Sequence, residues 1–171
     1  MKMKIYHYTE NANFKLYGIE IKNKFIWCKP KGGLWTSPSN SLYGWNERCK
    51  EEGFRDNNKL TIVEMIIDVD DLGNNKNLIV IDKEDDLDKL IWSPVPDIRE
   101  LVEKTGFKVS FGMEMVDFVK MKENGIDAIW LTMEGQWKTR LTYPRNLYGW
   151  DCECVLILNE RCIKTVVIKE K

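Results

Sequence analysis

Residues 124–158 read NGIDAIWLTMEGQWKTRLTYPRNLYGWDCECVLIL. Asn124-Gly125 is a helix-end or turn signal, and Ala128 to Thr132 then runs apolar, the pattern of a strand. A second apolar run, Cys152 to Leu158, closes the stretch. Between the two strands, residues 133–150 form a long aromatic and basic connection. A segment of that length is usually functional or disordered, and its Trp and Tyr content argues against disorder. Upstream, Met113 to Glu123 predicts a helix, as do Glu84 to Ile91 and Asp97 to Lys104, the last with Asp97 as a cap after Pro94 and Pro96. Leu60 to Val69 and Leu78 to Ile81 are β-branched runs bounded by Asn, Asp and Gly, and they predict central strands. Nearer the N-terminus, Asn46 to Glu52 predicts a brief helix and Leu34-Trp35-Thr36 a short strand opening into a loop. Phe25 to Cys28 fits a strand or a helix end, and Lys4 to Thr9 is β-prone. Ile163 to Ile168 predicts the final strand. Strand-rich ends around a helical middle describe an α+β domain. No linker or internal repeat divides the chain, so residues 1–171 read as one domain.

Composition narrows the function classes. With 171 residues, 43% apolar and 31% charged, the chain is an ordinary globular sequence, neither collagen-like nor disordered. The formal net charge is −1 and the pI about 6.0, so no broad basic face for nucleic acid is advertised. No apolar run approaches the roughly 20 residues of a membrane span. The N-terminal MKMKIYHYTE lacks the apolar core of a signal peptide, and the expected location is the cytoplasm. Five cysteines without a CxxC pair, and a single histidine, give poor support to a metal site, so no metal is expected. Buried or spectator thiols are the expected role of the cysteines, with a nucleophilic pair between His7 and one of them as the sharper alternative.

Four local features carry chemistry. His7 is followed by Thr9 at the end of the first strand. Gly33-Leu-Trp-Thr-Ser37 is followed by Ser41, Tyr43 and Trp45. Asn124 to Leu131 leads a helix end into a strand. Asp151-Cys152-Glu153 stands at the mouth of Val155-Leu-Ile-Leu158. A lone histidine or an aromatic cluster is ordinarily structural, whereas a glutamate entering an apolar strand is costly to bury without a partner or a task.

In this order the features resemble the ADP-ribosyltransferase fold, in its diphtheria-toxin and poly(ADP-ribose)-polymerase-like H-Y-E branch, and in particular its small bacterial and phage-type members. The histidine corresponds to His7 in His7-Tyr8-Thr9, the glycine-led strand to Gly33-Leu34-Trp35-Thr36-Ser37, and the late glutamate to Glu153. Tyr8 stands where the branch has glycine, and Trp35 where it usually has tyrosine. The resemblance touches both ends of the chain and leaves residues 46–112 unmatched. It implies a single-domain split β-sheet core with helices inserted between the strand-rich ends.

It also implies NAD as co-substrate, held by His7, Tyr8, Thr9, Gly33, Trp35, Ser41 and either Tyr43 or Trp45, one of which stacks on the nicotinamide cation. His7 would orient the adenosine ribose, and Glu153 would stabilise the oxocarbenium-like charge that develops as the nicotinamide–ribose bond breaks. Asp151, two residues before Glu153, shares its side if the strand has begun there, and would help choose the acceptor.

The implied activity is mono-ADP-ribosyl transfer, a glycosyltransferase reaction, to a host or target macromolecule by a toxin-like or phage effector acting in host cytosol. A non-catalytic binder or inhibitor on the same fold is the alternative from another class. NAD hydrolysis and RNA 2′-phosphotransfer are further uses of the fold. Residues 133–150 would select the target through Trp137 and Arg140, with a protein acceptor expected ahead of nucleic acid. The interleaved Lys138, Arg140 and Arg145 keep single-stranded nucleic acid open.

Overall fold

Period-two burial builds the sheet. In the strand Thr61–Asp68, Val63, Met65 and Ile67 are fully buried, and their neighbours are only half so. The computed structural model describes residues 1–24, 28–54, 56, 59–94 and 114–169. Its strands are β1 (Lys2–Thr9), β2 (Ile21–Lys22), β3 (Lys31–Gly32), β4 (Leu34–Pro38), β5 (Thr61–Asp68), β6 (Leu78–Ile81), β7 (Trp92–Pro94), β8 (Glu114–Val116), β9 (Ala128–Leu131), β10 (Cys154–Ile157) and β11 (Ile163–Lys169). The helices are α1 (Trp45–Glu52), α2 (Val69–Asn74), α3 (Phe118–Glu123) and α4 (Met133–Thr139). Seven strands form one sheet in the order β11-β5-β1-β4-β10-β9-β6, and the pairs β2–β3 and β7–β8 stand apart. All neighbours in the large sheet are antiparallel except β6 and β9. The protein is therefore an α+β fold on a mixed sheet.

The sheet is divided at β4. Leu34, Trp35 and Thr36 pair with Ile157, Leu156 and Val155 of β10, whereas Ser37 and Pro38 pair with Tyr6 and Ile5 of β1. Each neighbour thus holds a different half of β4. Gly33 makes the approach possible: its φ is +72°, and a Cβ there would meet the Leu156 side chain at 2.6 Å.

All four residues of β10 are buried, because both faces of this central strand are covered. Leu156 and Leu158 join Ile81, Phe118, Met121, Leu131 and Trp150 on one face. Val155 and Ile157 join Ile5, Val63, Met65, Ile67 and Ala128 on the other.

Several sequence expectations are revised. Glu84–Lys89 is a 3-10 helix, in which the buried Asp86 carboxylate accepts from Asp82 and Lys83 backbone N–H groups at 2.8 and 3.0 Å. The expected helix 113–123 is divided: Glu114–Val116 pairs with β7, and α3 begins only after Asp117, whose side chain caps it. Residues 133–150 open with helix α4, capped by Thr132, which accepts from Gly135 N–H at 3.0 Å. Its Gly135 lies against the Ile81 carbonyl, where a Cβ would sit at 2.0 Å. The strand expected over 152–158 is β10, Cys154–Ile157, so Asp151 and Glu153 precede it. The helix expected over 97–104 lies outside the described residues, as do the first three residues of the 25–28 run. Among the described residues, no helix is long and apolar enough to cross a membrane.

Asp117 couples the β7–β8 pair, α3 and the segment after β2. It accepts from Asn23 Nδ2 at 2.8 Å, Ser93 Oγ at 2.9 Å and Lys120 N–H at 3.0 Å. Burial alone would raise this carboxyl. The Lys120 amide, with Asn23, Ser93 and the Lys120 ammonium, outweighs burial and holds it at about 2. An unfolded aspartate titrates near about 3.9, so the folded-state pKa is depressed. Its stabilisation is complete above that value and is lost as pH falls through about 2. Urea midpoints between pH 5 and pH 2 should therefore fall more steeply for the wild type than for Asp117→Asn. Parallel slopes would remove Asp117 from the acid response.

Candidate functional site

Where β1 and β4 part, a side chain replaces the backbone ladder. Beyond the Tyr6–Ser37 pair, His7 Nδ1 lies 2.8 Å from the Trp35 carbonyl, so Nδ1 carries the proton and donates it. The same ring packs 5.3 Å from Phe14. His7 therefore stands at the seam of the divided sheet.

A cleft of ≈ 260 Å³ opens along that seam. Tyr6, His7 and Tyr8 line it from β1, and Trp35, Thr36 and Ser37 from β4. Trp45 contributes from the start of α1, Lys29 from the turn before β3, and Trp150, Asp151, Cys152 and Cys154 from the approach to β10. Ser37 ties these parts together: its hydroxyl accepts from Trp45 N–H at 2.9 Å and donates to the Glu153 carbonyl at 3.3 Å. Glu153 N–H in turn donates to the Tyr43 carbonyl at 3.0 Å. Gly44 permits the close approach, since a Cβ there would lie 3.0 Å from that of Ser37.

The walls are aromatic and the polar groups few. Trp35 meets Trp150 edge-on at 4.8 Å, and Lys29 Nζ lies 5.8 Å from the Trp35 ring centre. Asp151 is the cleft's carboxylate. It pairs with Arg140 at 3.0 Å and with Lys29 at 3.6 Å. Burial pushes the Tyr8 phenol up to about 12 and the Cys152 thiol to about 12, and it raises Cys154 well above the ordinary range. The two cleft thiols are thus protonated at neutral pH, the inert state for nucleophilic chemistry. Among the described residues, no group of three or more His, Cys, Asp and Glu side chains is placed to hold a metal ion.

The residues singled out in the sequence divide into two sets. His7, Tyr8, Trp35, Trp45 and Asp151 meet in the cleft. Of the two aromatics left open, Trp45 lines it, whereas Tyr43 donates its hydroxyl to Glu51 of α1. Gly33 shapes β4 from behind, Thr9 accepts from Asn11 N–H at 3.2 Å, and Ser41 accepts from Tyr43 N–H at 3.3 Å in the turn after β4. Trp137 is 68% exposed on α4, and Arg140 reaches the cleft only through Asp151.

Asp151 and Glu153 share a side only if the strand has begun at Asp151, and it begins at Cys154. The neighbours of Glu153, Cys152 and Cys154, line the cleft, but its own carboxylate accepts from Trp130 Nε1 at 3.1 Å. Trp130 packs on the core face that carries Ala128 and Val155, so Glu153 turns away from the cleft wall. The reason is local: the strand has not begun at Asp151, and same-side spacing fails outside a strand.

Sequence reasoning missed Tyr6, Lys29, Trp150, Cys152 and Cys154 as lining residues. The only signal for Lys29 is its place in the turn-rich KPKGG run before β4. Comparison with protein-family models, curated proteins and solved structures returns no match to this chain.

Proposed function

We propose that the chain is an NAD-dependent mono-ADP-ribosyltransferase acting on a macromolecule. One observation carries the reading: β1 and β4, which bear the first two ordered motifs, and β10, which directly follows the third, are neighbours in the sheet, and residues from both chain ends converge on one aromatic cleft.

The chemistry of the lining fits a dinucleotide of this kind. Trp35 and Trp45 offer aromatic surface to a flat cationic nicotinamide, and Lys29, which pairs with Asp151 at 3.6 Å, is a lining cation that a pyrophosphate would draw from that pair. The Nδ1–H bond to Trp35 fixes the His7 ring for a positioning role on a ribose hydroxyl. NAD, when bound, supplies the bond that breaks, between nicotinamide and ribose. Glu153 stabilises the positive charge on that ribose. One of its oxygens is held by Trp130, and to act in the cleft its carboxylate turns from Trp130 toward the side of Cys152 and Cys154.

His7→Ala should raise the KM for NAD at least several-fold with a smaller loss of kcat, the signature of lost binding common to ground and transition states. Steady-state nicotinamide release checks this, and a kcat loss with unchanged KM would move His7 into the chemistry.

A specific observation favours a second reading, a non-catalytic binder on the same fold. The cleft's Asp151 is neutralised by Arg140 and Lys29, and Glu153 faces the other way. Saturable NAD binding without nicotinamide release would select this reading, and release above background would exclude it.

A further inference from the structure

We propose that Lys29 is a resident cation that occupies the Trp35 side of the cleft until an anionic group draws it away, so that the anionic and cationic parts of one ligand bind cooperatively. The inference rests on the transferase reading for the identity of those parts, and it adds the regulation of that site.

Lys29 already does what a cationic ligand would do. Its ammonium lies 3.6 Å from the Asp151 carboxylate and 5.8 Å from the Trp35 ring centre, and all three residues line the cleft. A carboxylate beside an aromatic ring is a recognition set for a cation, and here the chain supplies the cation itself. Trp150, which is buried, packs edge-on to the same indole at 4.8 Å and leaves less of that ring to share. The cleft holds ≈ 260 Å³, below the roughly 300–1,000 Å³ of ordinary ligand pockets. A nicotinamide cation and the Lys29 ammonium therefore compete for one place, and their like charges repel there.

The backbone at Lys29 is anchored, whereas its side chain is not. Cys28 takes a left-handed φ of +49°, rare for a residue with a Cβ, and its carbonyl accepts from Trp150 Nε1 at 2.8 Å. Lys31 pairs with Lys22 in the β2–β3 ladder. The Lys29 side chain is 36% exposed, so its flexible stem swings toward solvent without disturbing either anchor.

Its departure strands no charge. Asp151 keeps Arg140 at 3.0 Å, while the 3.6 Å separation from Lys29 is beyond hydrogen-bond length. A pyrophosphate carries more negative charge than this shared carboxylate, and it takes the ammonium in a charge-assisted hydrogen bond. Removal of Lys29 then gives the nicotinamide cation both the Trp35 surface and a more negative Asp151. Linkage makes the effect mutual: the bound ring favours pyrophosphate by the same factor.

The two parts are offered separately to the full chain, as the 1-methylnicotinamide cation and inorganic pyrophosphate, with tryptophan fluorescence read at an ionic strength held constant by chloride. Saturating pyrophosphate should tighten binding of the ring at least about fivefold in the wild type, the lower end of ordinary coupling. Lys29→Ala should bind the ring that tightly from the start and ignore pyrophosphate, and Lys29→Gln, uncharged but of similar length, should lose the response as well. Circular dichroism verifies the fold of each variant. Overturning results are pyrophosphate that leaves ring binding unchanged or weakens it, a wild-type response in the Lys29 variants, or no saturable ring binding in any of the three proteins. No bond of NAD is broken in these titrations. Loss of coupling therefore leaves nicotinamide release standing, and absence of release leaves the coupling standing.

Discussion

Trp150→Ala should lower the free energy of unfolding by about 3–5 kcal/mol, a large share of the roughly 5–15 kcal/mol that holds a domain together. Trp150 is only 1% exposed. It stacks on Phe118 at 6.3 Å with the planes 16° apart, and it meets Trp35 edge-on at 4.8 Å. Its indole Nε1 donates to the Cys28 carbonyl at 2.8 Å. Truncation removes this packing, leaves a cavity beside α3 and takes the partner from the half-buried Cys28 carbonyl. Trp150→Phe keeps a ring and loses the hydrogen bond, and it should cost about 1–3 kcal/mol. Trp137→Ala, at an exposed position of the same segment, should stay within about 0.5 kcal/mol. Urea unfolding of the three variants checks the order. Comparable losses at Trp137 and Trp150 would contradict the division of this segment into a buried end and an exposed one.

Glu153→Gln should reduce nicotinamide release from NAD by about 10²–10³-fold, the usual cost of removing one electrostatic contact made to the transition state. The amide keeps the size of the side chain and can still accept from Trp130, so NAD affinity and the unfolding midpoint should change little. Asp151→Asn acts differently. It loosens Arg140 and Lys29, and it should alter KM and acceptor transfer more than the chemical step. Single-turnover rates at saturating NAD separate the two. A folded Glu153→Gln protein with wild-type turnover would remove Glu153 from the chemistry and leave Asp151 as the carboxylate that lines the cleft.

The strands of this architecture that rest on apolar, β-branched runs were legible in the sequence. The run Leu60 to Val69 holds strand Thr61–Asp68, Leu78 to Ile81 is a strand, and the late run to Leu158 holds the buried centre of the sheet. Competition between local and tertiary signals hid the rest. Helix α4 lies within the connection expected over 133–150: Gly135 weakens its propensity, yet that glycine is what lets the helix lie against the Ile81 carbonyl. The acids of Glu84–Lys89 favour caps over a continuous helix, and Asp86 turns back to the two amides before it. At the site, the order of motifs brought His7, Trp35, Trp45 and Asp151 forward, and all four line the cleft. The direction of Glu153 was not legible, since it depends on where the strand begins and on Trp130 one strand away. Trp150 resembled the exposed aromatics of its segment, and only its packing on Phe118 and Trp35 marks it as core.

The most direct measurement of the central claim is the fate of NAD incubated with the purified wild-type chain, followed for free nicotinamide and for ADP-ribose, free or attached. The transferase reading predicts saturable nicotinamide release, matched one for one by ADP-ribose and weakened by Trp45→Ala, which removes aromatic surface from the cleft. No nicotinamide release by the folded chain, whether or not NAD binds, would contradict it.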